Sequence, residues 1–176
     1  MTHETKPASI MALDVAYNDA AAAAAGVYFA AWSAACAEGL FARRIEIEPQ
    51  RYEPGEFYKR ELPVLMRLLE ESPVEASAFI VDGYVWLSGD GRPGLGARLY
   101  EALAARVPVI GVAKTQFHDD DWSKQVLRGG SAAPLYVTSV GMPLDEAARN
   151  IAQMSGAHRV PTLLKQADEA ARKALS

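Results

Sequence analysis

A chain of 176 residues, half of them hydrophobic, can bury one well-packed core and is read as a single domain over residues 1–176. Its formal net charge of -4 gives no general attraction for a polyanion, so any nucleic-acid contact must come from a local patch. The lone Cys36 excludes an internal disulfide, no Cys/His spacing suits zinc, and neither a signal-peptide pattern nor an apolar run of spanning length is present, so a cytoplasmic protein without a membrane partner is expected.

Taken in chain order, Ser9–Val15 is a short apolar segment running into the polar turn "YNDA" and reads as a first strand. "AAAAAGVYFAAW" has the alanine content of a helix, but Gly26 interrupts it and Val27, Tyr28 and Phe29 prefer strands, which places a second strand at about Ala23–Trp32. "RRIEIEP" then alternates polar and apolar and gives a third strand, closing a meander, with Cys36 in the core between them. "PGEFYKRELPVLMRLLEES" has near-helical spacing of apolar residues, and Pro63 should kink this helix or mark its real start. "ASAFIVDG" and "VPVIGVAK" are continuous apolar runs of the kind buried on both faces of a sheet, with the helix "GLGARLYEALAARV" between them. The acidic run in "HDDDW" reads as a solvated loop. "PLYVTSVG" is a further strand, "PLDEAARNIAQMSG" a helix closed by Gly156, and "TLLKQADEAARKAL" a terminal helix. A meander followed by alternating helices and strands predicts an α/β fold, a mixed sheet with helices on both faces.

Within this pattern Asp14 is out of place, a carboxylate among apolar residues on a strand headed for the core. Burying it is costly unless it is paired or binds a metal. Asp82, at the end of "FIVDG", becomes its neighbour if the two strands pair, and two adjacent carboxylates raise one another's pKa unless a divalent cation sits between them. A magnesium-type site resolves the repulsion, with manganese as a possible substitute. Glu61 can supply a third carboxylate, although Glu56 is a nearby rival, and Lys114 can place a cation beside the cluster.

At these residues the chain resembles a family. "LDVAY", "YEPGEFYKRE", "FIVDG", "VPVIGVAK" and "PLYVTSVG" follow the order and rough spacing of motifs in endonuclease V, the deoxyinosine 3' endonuclease, over about Leu13–Leu164. The resemblance implies a ribonuclease H-like fold and magnesium-dependent hydrolysis of phosphodiester bonds near deaminated, inosine-type bases, with DNA and RNA both open. It implies that Asp14 and Asp82 bind the metal, that Glu61 binds it or orients its water, and that Lys114 contacts the scissile phosphate or the attacking water. Tyr52 and Pro54 match the strand-separating wedge, and with Gly83 and Gly111 they are the expected substrate-binding residues.

The chain departs from the family pattern around these acids. A His-Pro-Arg-Arg loop is replaced within "VDGYVWLSGDGRPGLGARLY", leaving Ser88 or Gly89 near one family histidine position and Arg98 at the other. The wedge reads "RYEP", with Arg51 and Glu53 as the changed residues, and Val-Gly-His becomes Val140, Gly141 and Met142. His118 and His158 have no spaced partners and receive no ligand role. The metal core is therefore kept better than the base-reading shell, and weak selectivity for inosine is expected. The alternative is a diverged paralogue that binds nucleic acid or protein without cutting.

Overall fold

The computed structural model describes residues 8–46, 56 and 58–176, which build one seven-stranded mixed sheet covered by helices on both faces. β1 (Ser9–Tyr17), β2 (Ala21–Phe29) and β3 (Gly39–Glu46) form the expected antiparallel meander. The polar turn between β1 and β2 is an Asx turn in which Asn18 Oδ1 accepts the Ala20 and Ala21 N–H groups, each at 2.9 Å. β4 (Ala76–Asp82) and β5 (Val109–Ala113) add in parallel beside β1, and β7 (Leu135–Val140) and β6 (Lys124–Val126) complete the order β3-β2-β1-β4-β5-β7-β6.

Strand alternation divides the core into two layers. Ile10 and Ala12 of β1, Ile80 of β4 and Ile110 and Val112 of β5 face α3 (Leu144–Ala152) and α4 (Thr162–Leu175), where Ile151, Leu163 and Ala167 meet them. Met11, Leu13, Phe79, Val81 and Val109 face the other way, against Leu65 and Leu68 of α1 (Tyr58–Leu69) and Leu95 and Leu99 of α2 (Leu95–Ala102). β2 is a strand despite its five consecutive alanines. Helices cover both of its faces, and at Gly26 a Cβ would lie 2.6 Å from the Phe41 ring, so this position has no room for a side chain.

Several boundaries differ from expectation for local reasons. β2 ends at Phe29, where a turn closed by the Ala34 N–H to Ala31 carbonyl bond (3.0 Å) carries Trp32 out of the strand, and Cys36 in this connection is exposed rather than in the core. β3 begins at Gly39, four residues before the alternating segment. α1 starts at Tyr58, so Pro63 sits inside the helix and is not its start, exposed on the solvent side. α2 stops at Ala102, where Ala104 and Ala105 turn the chain into the left-handed region with φ of 58° and 54°. α3 ends at Ala152, before the expected closure at Gly156. The three-residue β6 was not anticipated, since a segment that short carries no period to read.

Candidate active site

β1 and β4 run side by side with Leu13 level with Val81, which carries Asp14 and Asp82 forward as neighbours at the carboxyl end of β4. Asp14 Oδ1 accepts the Val15 N–H at 2.7 Å. After Asp82 the chain turns at Gly83, whose φ of 110° suits glycine and whose N–H donates to the Val112 carbonyl at 3.0 Å. Glu61, in the first turn of α1, comes from the opposite layer and shares a small cavity of about 60 Å³ with Asp14 and Asp82. Its rival Glu56 is instead paired with Lys59. Lys114 follows β5 and places Nζ 3.7 Å from Asp82 Oδ2, with both side chains close to half exposed.

The electrostatics identify these acids as one coupled set. Burial, followed by the charge of Asp82, pushes Asp14 up to about 7 against an ordinary value of 3.8; Asp168 adds to the rise, while the Val15 N–H and Lys114 oppose it. Glu61 is raised to about 8 by burial and then by Asp14 and Asp82, partly offset by Arg60. Asp82 is also raised, chiefly by burial, with Lys114 holding it down and Asp168 pushing it up. Asp168, on α4, is a member of this set that the sequence reading missed. It lines a cavity of about 200 Å³ between the sheet and α4, together with Asp14, Asp82, Lys114 and Lys165.

These donors are all oxygen, anionic and without a histidine or cysteine, the set that suits a hard divalent cation rather than zinc or copper. Among the described residues no three His, Cys, Asp or Glu side chains are drawn together closely enough to hold an ion as they stand. Burial and the neighbouring acids oppose ionisation of these carboxyls, and a bound cation would offset that cost. The chemistry of the set therefore fits the metal expected from sequence.

A larger cleft of about 440 Å³ opens beside the acids, lined by Tyr58, Glu61, Asp82, Gly83, Tyr84, Leu95, Lys114, Thr115 and Phe117 among others. Gly83 thus stands on the cleft wall. Gly111 does not: it is buried inside the sheet, where a Cβ would lie 2.6 Å from the Gly83 carbonyl and 2.7 Å from Thr138 Oγ1. Tyr52 and Pro54, with Arg51 and Glu53, lie outside the described residues. Arg98 stacks its guanidinium 4.9 Å from the centre of the Tyr58 ring, and Ser88 closes a turn by accepting the Arg92 N–H at 3.0 Å.

The "HDDDW" run is not simply a solvated loop. Asp120 is only 8% exposed and accepts the Trp122 and Ser123 N–H groups at 3.0 and 2.8 Å and the Tyr84 hydroxyl at 2.9 Å. Its flanking residues Asp119 and Asp121 are exposed, as expected. Burial pushes the Tyr84 phenol above its ordinary value, so it stays protonated and able to donate.

Comparison with known proteins decides what this arrangement belongs to. The endonuclease V family profile matches residues 1–142. The chain belongs to the endonuclease V family. Its family is one of metal-dependent nucleases, phosphodiester hydrolases. It is 28% identical over 193 aligned positions to an endonuclease V of Streptomyces avermitilis, covering 94% of this chain and 80% of that protein. Its fold matches a crystal structure of an endonuclease V from Streptomyces avermitilis with a TM-score of 0.77 and 24% identity, over 99% of this chain and 86% of that one. It matches Ciona intestinalis endonuclease V, solved with a 24mer DNA containing an inosine followed by a ribo-adenosine, with a TM-score of 0.77 and 18% identity over 96% and 86% of the two chains. Human endonuclease V gives 0.74 and 23%, over 97% and 87%. The endonuclease V fold is of the ribonuclease H type, as the motifs implied. No helix among the described residues is long and apolar enough to cross a membrane.

Proposed function

We propose that this endonuclease V homologue is a Mg2+-dependent endonuclease that hydrolyses a phosphodiester bond near an inosine-type base in DNA or RNA. The observation that supports this reading is the coupled acid set of Asp14, Glu61 and Asp82, with Lys114 beside it, at the edge of a cleft wide enough for a base. Asp14 and Asp82 would hold the ion, with Glu61 and Asp168 within electrostatic reach. When bound, the ion supplies positive charge to the phosphate oxygens and lowers the pKa of water.

The chain's own groups account for the rest of the reaction. Lys114 adds charge where the pentacoordinate transition state becomes more negative, and its pairing with Asp82 keeps its ammonium facing the acids. Glu61, ionised only above about pH 8 without an ion, is placed to accept a proton from the attacking water once a cation lowers its pKa. By the family resemblance, the products would carry 5'-phosphate and 3'-hydroxyl ends. Tyr58, Tyr84 and Phe117 give the cleft aromatic walls of the kind that receive a base taken out of its stack.

The Ciona protein was solved with a strand combining inosine and a ribonucleotide, so the test must include both backbones. Matched single- and double-stranded DNA and RNA oligonucleotides, with inosine or adenine at one position, should be cut with Mg2+ or Mn2+ and left intact with EDTA. Cleavage unaffected by EDTA, or cleavage lost only when a contaminating fraction is removed, would overturn the reading.

A further inference from the structure

Lys114 carries a long flexible side chain that is 45% exposed, at the first position after β5. Such a lysine has many rotamers and no intrinsic reason to stay beside Asp82. What it does have is a backbone anchored from two sides. On one side Arg159 donates through Nη2 to the Lys114 carbonyl and, at 2.6 Å, to the Pro134 carbonyl. On the other, the Tyr84 hydroxyl accepts the Phe117 N–H at 3.0 Å and lies 3.2 Å from the Thr115 carbonyl, so it bridges both ends of the Thr115–Phe117 segment.

Tyr84 is itself fixed. Its side chain is buried, its ring packs 5.9 Å from that of Phe117, and its hydroxyl reaches Asp120 Oδ2 at 2.9 Å. Asp120 spends its other lone pairs on the Trp122 and Ser123 N–H groups and the Ser123 hydroxyl, so it cannot swing away without leaving several donors unpaired. Tyr84 stands two residues after Asp82, across the Gly83 turn. One hydroxyl therefore links the strand end that carries Asp82 to the segment that starts at Lys114.

We propose that Tyr84, locked by Asp120, is a positioning residue that holds Lys114 against Asp82, and so sets where this ammonium sits beside the acids. This inference rests on the endonuclease reading above. Asp120 is what fixes the direction of the clamp: at 2.9 Å its carboxylate outcompetes the Thr115 carbonyl at 3.2 Å for the hydroxyl proton, while the hydroxyl oxygen accepts from Phe117.

A double-mutant cycle of Tyr84→Phe and Lys114→Ala tests it. The phenylalanine keeps the ring and its packing on Phe117 and removes only the hydroxyl. Expected is a fall in kcat of about tenfold with KM little changed for Tyr84→Phe alone, within the range of coupling between contacting groups, and no further fall when it is added to Lys114→Ala. Independent multiplication of the two losses overturns the proposal, because it would mean that Tyr84 acts through the cleft or through general stability. A second readout needs no activity. Acylation of Lys114 by an N-hydroxysuccinimide ester, followed by mass spectrometry and referred to Lys165, should quicken several-fold in Tyr84→Phe if the hydroxyl holds the ammonium beside Asp82. An unchanged ratio overturns the clamp. A parent protein that cuts nothing refutes the endonuclease reading, and the labelling ratio still decides the clamp.

Discussion

Replacing Asp14 with Asn should make the metal-free protein more stable. Asp14 is raised from 3.8 to about 7, a displacement of about 3 pKa units, and each unit is worth about 1.4 kcal/mol. The sign follows from linkage. Between those two values the native state holds a proton that the unfolded chain has released, so stability is greatest below the unfolded value and falls as pH rises toward the folded one. Above about pH 7 the ionised Asp14 destabilises the native state by at most about 4 kcal/mol, and about half that once its partial exposure and its sharing of the field with Asp82 and Glu61 are discounted. Asn keeps an oxygen for the Val15 N–H, now 2.7 Å from Asp14 Oδ1, so the substitution removes the charge without breaking that hydrogen bond.

Thermal unfolding in EDTA measures the effect. For a chain of this length about 2 kcal/mol corresponds to a rise of about 4–8 °C in Tm. At pH 8 Asp14→Asn should show that rise. At pH 5 little more than a third of the way between the two pKa values has been crossed, so the gain should fall below half of its value at pH 8. Adding manganese should then reverse the ranking, because the parent gains stability with the logarithm of ion concentration over its Kd and the variant, having lost an anionic donor, has the larger Kd. An Asp14→Asn protein no more stable than the parent at pH 8 in EDTA, or equally favoured at pH 5 and pH 8, refutes the reasoning.

Other expectations follow from the same geometry. Calorimetric affinity for Mn2+ should strengthen by up to about tenfold per pH unit for each proton displaced between pH 6 and pH 8, because Asp14 and Glu61 must lose protons to bind it, and heats that are independent of buffer ionisation would contradict this. Gly111→Ala should destabilise the fold by about 1–3 kcal/mol, since its Cβ would press on the Gly83 carbonyl, Thr138 Oγ1 and the Val85 nitrogen; a Tm within a degree of the parent's would show that the sheet gives way there. The ratio of cleavage rates on inosine and adenine substrates should stay below about a hundredfold, or about 2.7 kcal/mol, because both family histidines are absent; a larger ratio would show that other residues have rebuilt the pocket.

The residues that sequence reasoning found are those whose chemistry clashes with their surroundings. Asp14 is conspicuous among the apolar residues of β1, and Asp82 ends a run buried on both faces. Glu61 could be separated from Glu56 only through its motif, since both are acids near a helix start; the fold separates them by pairing Glu56 with Lys59. Asp168 gave no such signal. It sits beside Glu169 on an amphipathic helix and accepts from Arg172 at 2.9 Å, four residues on, the usual arrangement of a solvated helix face. Only the packing of α4 against β1 brings it to the acids, and that is a tertiary fact. Asp120 gave no signal that set it apart from Asp119 and Asp121; the fold picks it out by returning the N–H groups two and three positions on to its carboxylate as an Asx turn.

The pairing of Asp14 with Asp82 depends on register, and the register depends on both layers of core at once. Between Ser9 and Ile10 the β1–β4 pairing shifts by one residue: Ser9 is level with Ala76, but Ile10 is level with Ala78. Past that irregularity Ala12 meets Ile80 on the α4 side, and Met11 and Leu13 meet Phe79 and Val81 on the α1 side, so the paired apolar residues of the two strands are buried on their proper faces. Without the shift Asp14 would be level with Val81, and Asp82 would point to the opposite face. The bulge and the two apolar layers therefore hold the carboxylates together against their own repulsion. That repulsion is large enough to matter for a domain whose total stability is typically about 5–15 kcal/mol, and it is strongest where a cation has the most to offset.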